Sequence, residues 1–153
     1  MEQSDYKRLG IDANQETWGL LEKAARTDEE TDQMIASAYA SHYLWQKGGG
    51  TALHHARGHW LISRVMCVAN EPQRAKRHAE LCARYTDEAS DREVFDTVYA
   101  VESQARAAAL NGNMEKAGEL RARAMRMSDA VTEEEDRKFL IGDLEAEPWF
   151  GVK

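Results

Sequence analysis

Proline occurs only twice in 153 residues, and runs rich in Val, Ile and Thr are missing, so the chain has few helix breakers and little of the composition that strands prefer. Abundant Ala, Glu, Arg, Leu and Met fill the space instead, and the composition predicts an all-α protein. Cysteine is equally scarce. Cys67 and Cys82 are the only two, both among apolar neighbours, which points to buried thiols rather than to a disulfide framework or a catalytic nucleophile. No apolar run approaches the roughly 20 residues needed to cross a bilayer, and the opening "MEQSDYKRLG" has no apolar core of the kind a secretory signal requires. A cytoplasmic protein without a membrane partner is expected. No Gly-rich phosphate loop is present either, since "GGG" at 48–50 is not followed by the lysine and hydroxyl pair that would complete one.

What is present begins with charge. The net charge of -7 divides unevenly: residues 1–33 hold 9 acids and 4 bases, and residues 128–147 hold 8 acids and 2 bases. Between them, residues 34–86 carry 7 bases (Lys47, Arg57, Arg64, Arg74, Lys76, Arg77, Arg84) against Glu71 and Glu80, together with all five histidines. Such asymmetry bears on partners more than on fold, and the acidic total weighs against nucleic acid.

Breakers and caps divide the chain into seven helical segments. Asp12 or Asn14 begins the first, which reaches about Arg26; Thr27 with Glu30 forms a capping box for the second, which "GGG" stops after Lys47. Thr51 caps a third helix to about Ala69, and "NEP" turns the chain into a fourth that starts at Pro72 and ends near Tyr85. Ser90 or Asp91 caps a fifth to Leu110, "NGN" at 111–113 turns the chain, and a sixth ends near Met127. Thr132 with Glu135 boxes a seventh, ending near Gly142 or Leu144.

The segment "VANEPQRAKRHAELCARYTD" (68–87) lies over "LNGNMEKAGELRARAMRMSD" (110–129) at a constant offset of 42 residues. Asn70 then matches Gly112, and Ala75 matches Ala117 as a small residue that lets paired helices approach closely. "SRVMCVANEPQRAKRHAELCARY" and "ARAAALNGNMEKAGELRARAM" resemble the tetratricopeptide repeat family. Both have a small residue in the first helix (Ser63, Ala105), a turn residue, then the alanine of the second helix. The offset exceeds that family's roughly 34 residues. The whole chain, with its "DLEAEPWFG" ending, also resembles a group of small bacterial helical-repeat proteins.

The resemblance implies a right-handed α-solenoid of antiparallel helix hairpins with a C-terminal capping helix. Its expected division is an N-terminal extension over 1–12, one domain over 13–147 with units at 13–47, 51–87 and 91–129 and a cap at 132–144, and a tail over 148–153. It further implies a concave groove lined by Arg57, Trp60 and Arg64, with Cys67 beside them, and by Tyr99, Glu102 and Arg106. The expected function is a non-enzymatic adaptor that binds a peptide or protein tail, acidic ones included, in a locally basic groove with no cofactor. The ending "EEEDRKFLIGDLEAEPWF" carries apolar residues among its charges, so it caps the repeat or reaches the groove of another copy, a route to a homo-oligomer.

"TALHHARGHW" (51–60) admits another reading. His55 and His59 are four apart, and His42 on the preceding helix is the candidate third ligand, so the alternative is a small metal- or ligand-binding helical enzyme using His42, His55 and His59. The competing reading, hydrogen-bonded histidines at a helix interface, is preferred because such pairs arise often without a ligand role.

Overall fold

The computed structural model describes residues 1–153 and contains seven α-helices and no strand: α1 (Gln3–Leu21), α2 (Asp28–Lys47), α3 (Ala52–Val68), α4 (Pro72–Glu88), α5 (Val94–Leu110), α6 (Met114–Ser128) and α7 (Glu134–Glu145). None of them is long and apolar enough to cross a membrane. Consecutive helices pair closely as α1 with α2, α3 with α4 and α5 with α6, while α2 on α3, α4 on α5 and α3 on α5 join the pairs, and α7 lies on α5 and α6.

Local chemistry sets most of these bounds. Thr27 and Glu30 exchange both capping-box bonds at the start of α2, whose first turn adds Asp28 and Glu29 where the positive end of the helix dipole favours acids. Thr51 caps α3 with His54 in the position that Glu or Gln usually holds, its amide donating to Nδ1 at 3.0 Å. Pro72 opens α4 in the first turn, where its missing N–H costs nothing.

Several boundaries differ from the sequence expectation, and α4 also runs on to Glu88. Helix α1 begins at Gln3, so residues 3–12 are helix and not an extension, because Glu2 and Asp5 supply a capping box made of acids alone; it ends at Leu21, after which Arg26 donates to the carbonyls of Leu20, Leu21 and Lys23. Helix α5 is capped by Glu93 with Asp96 rather than by Ser90 or Asp91. Helix α7 starts at Glu134 after Glu133, and Thr132 makes no capping bond.

The 42-residue offset is structural. Helices α3 and α5 share it at both ends, 52 to 94 and 68 to 110, and α4 and α6 begin at 72 and 114. The turns agree: Asn70 has φ 60 and Gly112 has φ 83, both in the left-handed region that glycine and asparagine tolerate. The bonds closing these turns coincide too, Glu71 amide to Met66 carbonyl at 2.9 Å and Asn113 amide to Ala108 carbonyl at 3.0 Å.

Small residues then set how closely helices pack. Ala75 and Ala117 are fully buried, and Ser63 donates to the Ala75 carbonyl at 3.0 Å, so α3 and α4 touch through backbone. In the first pair Ser41 donates to the Gly10 carbonyl at 2.8 Å, and Trp45 lies where a Gly10 side chain would be. One apolar cluster joins Met34 and Ala38 of α2 to Ile62, Val65 and Met66 of α3 and Ala75 and Ala79 of α4. A second joins Val98, Val101 and Ala105 of α5 to Ala117 and Ala124 of α6, Leu140 and Leu144 of α7, and Trp149.

Trp149 makes the ending part of this core. It has no exposed surface, its indole donates to the Leu144 carbonyl at 2.8 Å, and the guanidinium carbons of Arg106 and Arg121 lie 4.1 and 4.4 Å from its ring centroid. Truncating a buried tryptophan removes both transfer free energy and packing. Trp149→Ala is therefore expected to lower unfolding stability by about 3–5 kcal/mol in urea titration; a loss below about 1 kcal/mol, the size of an ordinary surface change, contradicts this placement.

Candidate functional site

Glu102 of α5 has 1% of its surface exposed, and its carboxylate accepts from three side chains. The Trp60 indole donates to Oε2 at 2.7 Å; Arg64 and Arg106 both donate to Oε1, at 3.3 and 2.8 Å. A buried carboxylate needs such donors, since an unpaired charge away from water is costly. Trp60 sits 42 residues before Glu102, and Trp18 another 42 before that. The three thus share one register along α1, α3 and α5, and the indoles of Trp18 and Trp60 stack at 5.8 Å.

Beside this row, Tyr99 packs edge-on to Trp60 at 5.1 Å and donates to Asp143 of α7 at 2.5 Å. Burial raises the Asp143 carboxyl above the usual aspartate range and pushes the Tyr99 phenol well above its ordinary value, so at neutral pH Tyr99 stays a donor. Arg57 grips Asp96 with two bonds, 2.9 and 3.2 Å, and lies over the Phe95 ring at 5.4 Å.

These residues border two adjoining cavities. One of about 260 Å³ is lined by Trp18, Arg57, Trp60, Phe95, Tyr99 and Asp143, among others. The other, of about 610 Å³, opens between the end of α1 and the tail, with Trp18, Leu21, Arg64, Cys67, Pro148 and Phe150 in its walls. Both sizes suit small ligands or short peptide segments.

Of the residues expected to line a groove, Arg57, Trp60, Tyr99 and Arg64 border the cavities, and Cys67 borders the larger one. Glu102 and Arg106 do not reach open space. Arg106 is 1% exposed, and beyond Glu102 its donors are taken by the carbonyls of Asp143, Ala146 and Pro148 at 2.7 to 2.9 Å. The chain's own tail thus fills the place over Arg106 that was expected to be free.

The arginines here are matched by carboxylates: Arg57 pairs with Asp96, Arg64 and Arg106 share Glu102, and Asp143 accepts from Tyr99 beside them. The other exposed cations of the middle segment, Lys47 at the end of α2 and Arg74, Lys76, Arg77 and Arg84 on α4, line neither cavity. Trp18, Asp96 and Asp143 were not among the expected site residues, although the 42-residue register carried back from Trp60 reaches Trp18 directly.

The histidines form a separate seam where α2, α3 and α4 meet. His42 lies 4.3 Å from His59 and 5.4 Å from His55, measured between ring centroids, and the Nδ1 atoms of His59 and His78 are 3.0 Å apart. Tyr39 hydrogen-bonds His78 Nε2 at 2.8 Å, and Tyr85 stacks on His59. His42 Nε2 and His55 Nδ1 are buried without partners. The three candidate ligands do converge, yet as ring against ring, and no group of three or more His, Cys, Asp or Glu side chains is arranged to hold a metal ion. Burial also pushes the Cys67 and Cys82 thiols up to about 12, which leaves neither a ready nucleophile.

Comparison of the chain with protein-family models, with curated proteins and with solved structures finds no match.

The seam makes stability depend on pH. Burial, reinforced by the neighbouring histidines and by arginines such as Arg77 and Arg84, holds His59 down to about 3 and His78 to about 4, against 6.5 for a free imidazole. Above pH 6.5 both rings are neutral folded or unfolded, and their contribution is fully present. As pH falls from 6.5 through the folded values, the unfolded chain takes up protons that the folded chain refuses, and stability drops. Urea titrations are expected to show a loss of about 2–4 kcal/mol between pH 7 and pH 5; an unchanged unfolding free energy over that interval contradicts the buried neutral seam.

Proposed function

We propose that this protein is a non-enzymatic interaction module, a tetratricopeptide-like right-handed solenoid capped at its C-terminus, that binds a peptide or protein tail in the cleft between α1 and α7. The observation that carries this reading is the pair of open cavities, about 260 and 610 Å³, joined by a row of aromatic side chains on helices of shared register. Trp18, Trp60, Tyr99 and Phe95 offer large rigid contact area, and Asp143 and the Arg64 fork supply hydrogen-bonding groups between them. Aromatic and arginine side chains in a concave site are the composition on which binding energy most often concentrates.

The fold reading rests on repetition at 42 residues of both bounds of α3 in α5, of the start of α4 in α6, and of the turn conformation and turn bonds between them. An interior helix that is apolar on two sides supports it as well: α3 buries Leu53, Ala56 and Leu61 as well as Ile62, Val65 and Met66. The ending acts here as a cap on its own chain, since Leu144 and Trp149 are buried against α5 and α6. That arrangement favours a single copy over a tail-exchanged oligomer.

A random peptide-display library selected on the intact protein tests this. Enriched peptides are expected to shift the indole N–H resonances of Trp18 and Trp60, which border the cleft, and to leave those of Trp45 and Trp149 in place. No enrichment, or shifts confined to Trp45 and Trp149, would remove the cleft from consideration.

A further inference from the structure

The protein carries a worked example of how its own arginines hold a peptide. Arg64 and Arg106 stand 42 residues apart on helices related by that same offset, and both donate to one oxygen of Glu102. Around Arg106 the example is complete. Its further donors take the carbonyls of Asp143 in the last turn of α7 and of Ala146 and Pro148 just beyond it, and the Trp149 ring lies 4.1 Å from the guanidinium carbon. Around Arg64 the same fork is almost unused. Its one hydrogen bond is the 3.3 Å contact with Glu102, its side chain is 11% exposed, and it faces the 610 Å³ cavity.

An arginine has five N–H donors in a rigid fork and a flat face on which aromatic rings stack. A largely desolvated fork with one weak bond leaves donors that a ligand would satisfy. The walls say which ligand. Trp18, Leu21, Val68, Pro148 and Phe150 are apolar, whereas Glu22, Asp143 and Glu147 place carboxylates around the opening. The two other cations there are engaged, Lys23 with Glu30 and Arg26 with backbone carbonyls. Three carboxylates beside one guanidinium already paired with Glu102 oppose a phosphate or other multiply charged anion and leave neutral carbonyl oxygens as the fitting acceptors for its remaining donors.

We infer that the larger cavity takes an extended peptide segment bearing an aromatic residue, its main-chain carbonyls accepting from Arg64 and its ring lying on the guanidinium, as the chain's own Pro-Trp turn does at Arg106. This rests on the interaction-module reading and narrows it from acidic tails to aromatic, uncharged segments. The site is continuous with the occupied one, because Ala146, Glu147, Pro148 and Phe150 of the resident tail form one wall of it.

The test titrates the full chain with the capped peptide Ala-Ala-Pro-Trp-Phe-Gly and with its Ala-Ala-Pro-Ala-Ala-Gly counterpart, by calorimetry. The wild-type protein is expected to bind the first at least about tenfold more tightly than the second. Arg64→Lys, which keeps the charge and loses the fork, is expected to weaken the first by a similar factor, with its melting curve showing that it still folds. Raising the salt concentration is expected to change affinity little, since the acceptors are neutral. Equal affinity for the two peptides, no binding of the aromatic one, or an indifferent folded Arg64→Lys variant would overturn the inference. The peptide comparison decides the matter even if Arg64→Lys fails to fold. A display-selected peptide that shifts Trp18 and Trp60 yet ignores Arg64→Lys would overturn this inference alone and leave the cleft reading in place.

Discussion

One buried carboxylate organises the middle of the molecule. Glu102 draws Trp60 and Arg64 of α3 and Arg106 of α5 onto two oxygen atoms, and Arg106 passes the connection on to the backbone beyond α7. Each member depends on the others. Without Glu102, two guanidinium groups would face each other in a site largely closed to water, and without Arg106 the carbonyls of Asp143, Ala146 and Pro148 would lose their shared donor. Removing one partner of a buried ion pair typically costs about 3–5 kcal/mol, far more than an exposed pair is worth. The contrast lies within this chain: Arg84 and Glu88 pair at 3.9 Å on the surface with more than half of each side chain in water.

The same constraint separates a closed part of the cleft region from an open part. Over Arg106 the tail is drawn in, Trp149 fills the space between Arg106 and Arg121, and Arg121 itself donates to the carbonyls of Leu144 and Val152. Over Arg64 nothing is drawn in, and the aromatic row from Trp18 to Tyr99 borders an open cleft. On the other side of α3, the seam of His42, His55, His59 and His78 joins the first helix pair to the second through closely packed rings, and burial holds His42, His59 and His78 below the ordinary imidazole value. Helix α3 therefore carries two unlike interfaces, one centred on a buried charge and one that works only while uncharged.

Much of this architecture is legible in the residues. The 42-residue offset read from 68–87 and 110–129 matches helix bounds, turn conformations and turn bonds, because Asn70 and Gly112 are the residues that a left-handed turn position admits. Thr27 with Glu30 placed the start of α2 for the same kind of reason, a reciprocal bond between side chain and backbone. The start of α1 was missed because Glu2 and Asp5 build a capping box from acids alone. Arg64 and Arg106 stand one offset apart, yet their different fates are not legible in the sequence: which of them is covered depends on where residues 143–152 fold, and that depends on Asp143 and Trp149 meeting Tyr99, Arg106 and Arg121 of earlier helices. The charge around the cleft likewise depends on Asp96 of α5 and Asp143 of α7, which lie outside the basic segment of the sequence.

The central claim is that the tail belongs to the same cooperative unit as Glu102 and Arg106, so that the cleft over Arg64 is the part left open. Native-state hydrogen exchange at the Trp149 indole N–H, which donates to the Leu144 carbonyl, reads this directly. The account predicts exchange only through global unfolding, with the same free energy and denaturant dependence as the buried amides of α5. Rapid indole exchange through local opening, while α5 stays protected, would show the tail to be a loose flap and would contradict the account.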